Sequence, residues 1–356
     1  MEKKERIFGL DILRATAILL VIFAHLSIPF KNGIHKEFWD AVSSQTGILG
    51  VELFFVLSGF LIGTILIKLF NKEEKYNLKQ IKGFWIRRWF RTLPNYYFVL
   101  ILTIIVFYSL YGKIDASWTY FLFIQSPSYL VVAWSLMVEE WFYLLFPLLI
   151  FVITLFLKRN SKYKILLIAV GIIIIIPILL RILNIIDLID LSFALKFIQN
   201  TIALFDSIGI GVLAGFLYYY HKEFCINHKK TLFFWGVLLF SFSSVGLFIF
   251  NNPGILSELL RLLDILALNF SVLLMIPSLS EMKQPRNKIF GIITYISLIS
   301  YSLYLTHTTI IEVFYKTSFL TGYVRSLTSL LLAFVIAAIL YHLFEKPTTA
   351  LREKYV

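Results

Sequence analysis

Cysteine is nearly missing from this chain. A single copy, Cys225, among 356 residues excludes an intrachain disulfide. Charge is scarce as well: Asp, Glu, Lys and Arg make up 15% of the residues against 59% hydrophobic. The mean hydropathy of +0.83 lies far outside the range of soluble globular domains. Acid is the scarcer sign, with 21 carboxylates against 33 Lys and Arg and a formal charge of +12. That excess does not read as nucleic-acid binding, because the basic residues fall between long apolar runs and build no groove-reading module. It reads as membrane topology. The sequence contains no internal repeat, low-complexity linker or separate soluble domain.

What the chain has in abundance is apolar runs of about 20 residues, each long enough to cross a bilayer. They fall near 7–29, 47–70, 94–111, 134–157, 165–183, 201–220, 231–250, 257–280, 289–313 and 324–344. The expected fold is an all-α membrane protein of about ten transmembrane helices. It is read as one unit over 1–356, with a ten-helix core at about 7–344 and no appended soluble domain. Trp118 to Gln125 is a further apolar piece, too short to span, and is expected to be re-entrant or interfacial. Of the Lys and Arg residues, 23 lie in the N-terminus, the connections after runs 2, 4, 6 and 8, and the C-terminus, against a handful in the other connections. Both termini are therefore expected to be cytoplasmic, in a multi-pass protein of the plasma membrane. The first run follows "MEKKER" and has the outline of a secretory signal. Asp11 and Arg14 inside it, and the lack of a small-residue cleavage site after it, favour a retained helix.

Asp11, Arg14 and His25 are hard to reconcile with lipid. A central Asp or Arg costs roughly 2.5–3.5 kcal/mol, against roughly 0.3–0.6 gained per central Leu, Ile, Phe or Val. Such groups require partners or water. Arg14 and His25 are eleven residues apart, about three turns and roughly 16 Å along the axis, and share a face; Asp11 sits one turn before Arg14. With the N-terminus inside, Arg14 lies toward the cytoplasm and His25 toward the outside. Either Asp11 and Arg14 neutralise each other while His25 bonds a neighbouring helix, or the stripe is functional.

Other runs favour the functional reading. Glu52, Glu139, Glu140, Asp206, Arg261, Asp264 and His307 all fall in the outer halves of their runs, and ionisable groups at one depth mark a water-accessible cavity. Glu139 and Glu140 are adjacent and face different directions, so one of them reaches it. Arg261 and Asp264 are alternatively a structural ion pair. Ser58-Gly59, in mid-helix, means close helix packing or space for a substrate chain. Between runs 2 and 3, "NKEEKYNLKQIKGFWIRRWFRTLPNYY" combines basic residues with Trp85, Trp89 and Phe90. It reads as an interfacial amphipathic helix for anionic lipid headgroups. Alternatively Arg88 and Arg91, three apart on one face, form a fork for phosphates, with Arg87 pointing elsewhere.

In order along the chain, these stretches resemble the acyltransferase type 3 family of integral membrane acyltransferases. The resemblance rests on Arg14, ten residues, His25; on "GVELFFVLSGFLI" at 50–62; on "RRWFRTLPNYY" at 87–97; on "WSLMVEEWFYLLFP" at 134–147; and on "SYSLYLTH" at 300–307 with "FEKP" at 344–347. It covers nearly the whole chain. It implies a ten-helix core, an acyl-coenzyme A donor entering from the cytoplasm, acetyl-coenzyme A above all, and an extracytoplasmic carbohydrate or glycolipid acceptor. Arg14, Arg88 and Arg91 would sit near the donor, and His25 would be an essential catalytic residue. Ser58 and Gly59, read above as space for a substrate chain, are further candidates on the donor side. Glu52, Asp206 and His307 are the candidates on the acceptor side.

The chemistry is consistent with that. Imidazole suits general-base work at neutral pH, whereas a guanidinium stays protonated and cannot be a base. The carboxylates expected to support His25 are Glu140, Glu139 and Glu52, in that order. Direct transfer needs no covalent enzyme intermediate, although an acyl-His25 stage stays open. No metal and no nucleic acid are expected, and membrane lipids are the surrounding partners. A proton-coupled transporter or flippase would use similar intramembrane groups, but lacks support here because no inverted repeat or pair of broken helices is present. A binding or sensing protein on an inactive form of the fold is disfavoured by the retained His25. N-acylation of an amine would use the same groups.

Overall fold

The computed structural model describes residues 6–26, 36–72, 76–114, 117–124, 129–157, 162–188, 201–250, 254–283, 285, 289–318, 320 and 322–351. Ten long helices follow in chain order: α1 (Phe8–Leu26), α2 (Lys36–Lys72), α3 (Leu78–Tyr111), α4 (Ala133–Phe156), α5 (Lys162–Ile185), α6 (Phe205–Tyr220), α7 (Lys229–Ile249), α8 (Ile255–Ser280), α9 (Ile289–Thr317) and α10 (Gly322–Leu340). Among the described residues nine helices are long and apolar enough to cross a membrane. α9, 29 residues long, turns Ser297, Ser300, Ser302, Thr306 and His307 into the protein interior. Every expected run is thus helical where it is described.

α3 begins well before the expected third run. Asn77 caps it by accepting from the amides of Lys79 and Gln80, and Gln80 returns a bond to the Asn77 amide in a capping box. The helix then continues unbroken through Pro94 to Tyr111, so the basic stretch is the first half of a span and not a separate surface helix. The short piece beginning at Trp118 is a 3₁₀ turn, Trp118–Tyr120. It is held by Tyr96 and Tyr97, whose hydroxyls donate to the carbonyls of Tyr120 (3.0 Å) and Phe121 (2.9 Å), and by the Trp141 indole, which donates to Phe123 (2.8 Å).

The helices that frame the site are brought together by small residues and matched polar stripes. Gly59 on α2 meets Gly211 on α6, and one turn further along Gly63 packs on Val212 and Gly215 on Phe60 and Thr64. A Cβ at Gly59 would run into the Ile208 carbonyl and the Gly211 Cα, so the two backbones touch there, the small-xxx-small packing that lipid-embedded helices use in place of hydrophobic pressure. Gly59→Val is expected to cost more than the ~1–3 kcal/mol typical of overpacking, because the clash is with backbone and not with a movable side chain. Size-exclusion profiles after graded heating check this; a wild-type melting profile would contradict it.

α1 lies between α2 and α9. Asp11 of α1 meets Ser297 of α9 (2.7 Å), and His25 meets His307, so the two helices run in the same direction with their polar faces in register. Asp11 is not the partner of Arg14. Its carboxylate accepts from Arg6 Nε (3.0 Å), Arg6 Nη2 (2.5 Å) and Ser297.

Candidate active site

With Asp11 committed to Arg6 and Ser297, Arg14 is released toward the interior. It lines an open cavity bounded by α1, α2, α3, α4 and α9. Ser58, Arg88, Arg91, Glu139 and Tyr304 share that cavity with it. The α2 wall runs from Val51 to Ile62, about 16 Å of helix axis. Arg91 is exposed and Arg14 half-buried, so the guanidiniums step from a rim inward. Neither Arg14 nor Arg91 makes a hydrogen bond or ion pair with any described residue.

Arg88 differs, because it belongs to a network centred on Tyr143. Its Nη2 donates to the Tyr143 hydroxyl (2.5 Å), and its guanidinium carbon lies 4.2 Å from the ring centroid. The Tyr143 hydroxyl donates to Glu139 Oε2 (2.7 Å), which is 3.8 Å from Arg88 Nη2. A phenol has one hydrogen to give, so the Ser58 hydroxyl in contact with the same oxygen must be the donor. Trp85 fixes the far side of the network by donating to the Tyr143 carbonyl (3.0 Å). One cation, one carboxylate and two hydroxyls therefore form a closed unit in the cavity wall.

His25 does not line this cavity. It lines a second, smaller cleft with Leu26, Ile311, Tyr315, Arg325, Ser326 and Ser329. Its Nδ1 lies 2.8 Å from the Val21 carbonyl and 3.4 Å from His307 Nε2. A carbonyl oxygen only accepts, so in the neutral ring Nδ1 carries the proton and Nε2 keeps the lone pair. His307, fully buried, is set the same way by the Leu303 carbonyl (3.0 Å from Nδ1), and its Nε2 lone pair faces His25. The two rings meet edge to face at 5.0 Å, and Tyr304 stands 6.0 Å from His307 on the cavity side. Tyr304 is itself held by Ser135 (2.5 Å) and the Val132 carbonyl (3.3 Å), with Phe54 against its ring. Cavity, Tyr304, His307, His25 and cleft thus follow one another in a row.

The remaining expected residues separate. Glu139 reaches the cavity and Glu140 is buried outside it, as their adjacency requires. Ser58 lines the cavity, whereas its neighbour Gly59 faces α6. None of Glu140, Glu139 and Glu52 hydrogen-bonds to His25; a backbone carbonyl and His307 stand where a carboxylate was expected. Asp206 is fully buried in an ion pair with Arg181 of α5. Glu52 lies beside the same cluster, near Ser207 and Asn269 and within electrostatic reach of Arg181. Those two acids lie in the α2–α5–α6–α8 contact and do not line either void. Asp264 packs against Gly246 of α7 and makes no ion pair with Arg261.

Sequence reasoning missed Tyr143, Tyr304 and Glu345. Glu345 sits in a π-helical turn, Tyr341–Glu345, where Oε2 accepts from Ser302 (2.5 Å) and Asn95 (3.4 Å), tying α9 and α3 to the C-terminal segment. A π turn inside a helix and an acid buried in "FEKP" were the available signals for it. The tyrosines were hidden by a 17% aromatic background.

Comparison with known proteins bears on what such an arrangement does. The family model described as the acyltransferase domain, acyltransferase type 3, matches residues 7–342. The peptidoglycan O-acetyltransferase OatA of Listeria monocytogenes is 36% identical over 180 residues, 45% of this chain and 26% of that protein. YrhL of Bacillus subtilis, whose name gives the same activity as a provisional assignment, is 31% identical over 175 residues, 43% of this chain and 25% of that protein. The chain therefore matches about a quarter of the length of these relatives. No solved structure matches it significantly.

Proposed function

The chain belongs to the acyltransferase type 3 family, and on that premise we propose that it moves an acyl group, acetyl above all, from cytoplasmic acyl-coenzyme A to a hydroxyl of an extracytoplasmic glycan or glycolipid. Both termini are then cytoplasmic, in the plasma membrane. Peptidoglycan is the acceptor class proposed, after the activity in the name of the Listeria relative. The observation that carries the donor side is the pair Arg14 and Arg91, two guanidiniums on one membrane-embedded cavity that make no hydrogen bond or ion pair with a described residue. Cations in such a place that no close ion pair holds call for an anionic ligand. A coenzyme A thioester fits, since its phosphates suit the guanidiniums and its thin arm suits a long cavity that turns apolar at Val51, Phe54, Phe55 and Leu136.

The donor supplies a thioester that is already activated, so the protein has to orient the reactants and handle one proton. Arg91 at the rim and Arg88 within its tyrosine network hold phosphates; Arg14, deeper, steers the arm. His25 Nε2 takes the proton of the acceptor hydroxyl as its oxygen bonds to the acyl carbon. The carbon–sulfur bond breaks, and the proton leaves with the thiol. While charged, the imidazolium donates from Nδ1 to Val21 and to His307 Nε2, which needs no carboxylate. Tyr304 and His307 stand between the cavity and His25, so transfer requires that layer to part.

Arg14→Ala and Arg91→Ala are each expected to weaken acetyl-coenzyme A binding about 10- to 100-fold, the worth of a charge-assisted contact. Calorimetric titration of purified protein checks this. Donor affinity unchanged in both variants would remove the assignment.

A further inference from the structure

We propose that the outer cleft beside His25 is an acceptor subsite for an anionic group, so that the acceptor is an acidic glycan with a carboxylate near the hydroxyl to be acylated. The inference rests on the acyl-transfer reading above and names its substrate class. The cleft contains one permanent charge, Arg325, whose guanidinium carbon lies 4.2 Å from the Tyr315 ring centroid. Stacking of this kind engages the face of the guanidinium and leaves its in-plane N–H groups able to fork a carboxylate.

No described residue occupies that fork with a hydrogen bond or ion pair. The nearest acid along α9, Glu312, is engaged elsewhere, accepting from the Tyr111 hydroxyl (2.5 Å). The two serines of the cleft are committed as well: Ser329 donates to the Ser326 carbonyl (2.9 Å) and Ser326 to the Gly322 carbonyl (3.4 Å). Arg325 is therefore the charged donor left for a ligand.

Position gives the fork its meaning. Arg325 and His25 line the same open cleft. A carboxylate held by Arg325 there sets the rest of the ligand beside the base. An arginine that only anchored the helix at the membrane surface would have no need to share a cleft with His25.

The test uses the purified protein in phosphatidylcholine nanodiscs with two probes, a peptidoglycan disaccharide bearing its free carboxylate and the same disaccharide as the carboxamide. Binding is followed by calorimetry without donor, and transfer from acetyl-coenzyme A by mass spectrometry. The carboxylate probe is expected to bind about tenfold more tightly than the carboxamide, with a KM lower by a similar factor. Arg325→Ala is expected to erase the preference and Arg325→Lys to restore part of it. Equal handling of the two probes by the wild type, or an intact preference in Arg325→Ala, overturns the inference. A binding preference without transfer to either probe would remove the acyl-transfer reading and leave the anion subsite standing. If Arg325→Ala keeps the preference and loses thermal stability only in discs containing phosphatidylglycerol, the guanidinium serves a lipid headgroup and the inference falls.

Discussion

Replacing His25 with alanine is expected to lower acyl transfer by about 10²–10⁴-fold, the range for loss of a positioned general base, without weakening donor binding. The asymmetry follows from placement. His25 lines the smaller cleft, and two aromatic rings separate it from the cavity that holds Arg14 and Arg91. A donor held by guanidiniums in that cavity does not sense the imidazole. Single-turnover transfer and donor titration on the same preparation distinguish the two quantities. A wild-type rate would eliminate His25 as the base, and a large loss of donor affinity would mean that the cavity extends to it.

Asp206→Ala is expected to act on stability, by about 3–5 kcal/mol, because it leaves Arg181 as a buried cation without its partner. Asp206 is fully buried, and the Arg181 side chain is 16% exposed. Glu52 lies within electrostatic reach of Arg181 but makes no ion pair with it, so it replaces only part of what Asp206 supplies. Thermal unfolding in detergent measures the effect. Donor titration on the folded fraction should return the wild-type affinity; a variant as stable as wild type with impaired donor binding would move Asp206 back to the acceptor-side role that its depth suggested.

The contrast between these two residues shows what could be read from the chain. Periodicity placed Arg14 and His25 on one face, and hydropathy found the runs that became α1 to α10. Neither says which of several acids at one depth meets a void. Depth is a one-dimensional coordinate, and Asp206, Glu52 and His307 share it although they face different neighbours. The partner of Asp11 illustrates the same limit: Arg14 is one turn away in sequence, yet Arg6 has the reach to fold back, and Ser297 comes from a helix 286 positions on. Glu139 and Glu140 were separable in principle, because adjacent helical residues diverge, but which one would face the cavity depended on how α4 rotates against α2 and α3. Tyr143 had no signal of its own, since the need for a hydroxyl between Arg88, Glu139 and Ser58 exists only once three helices have met.

The row from Arg91 to Arg325 also bears on permeability. The cavity carries an exposed arginine and the cleft another. What stands between them is a layer of rings, Phe54, Tyr304 and His307, pinned by Ser135 and by the Val132 and Leu303 carbonyls. Narrow ring constrictions of this kind block water and ions in channels. On the acyl-transfer proposal, this layer has to open wide enough for the acyl group and no longer than its passage takes. Otherwise it would discharge the ion gradients of the membrane that houses it.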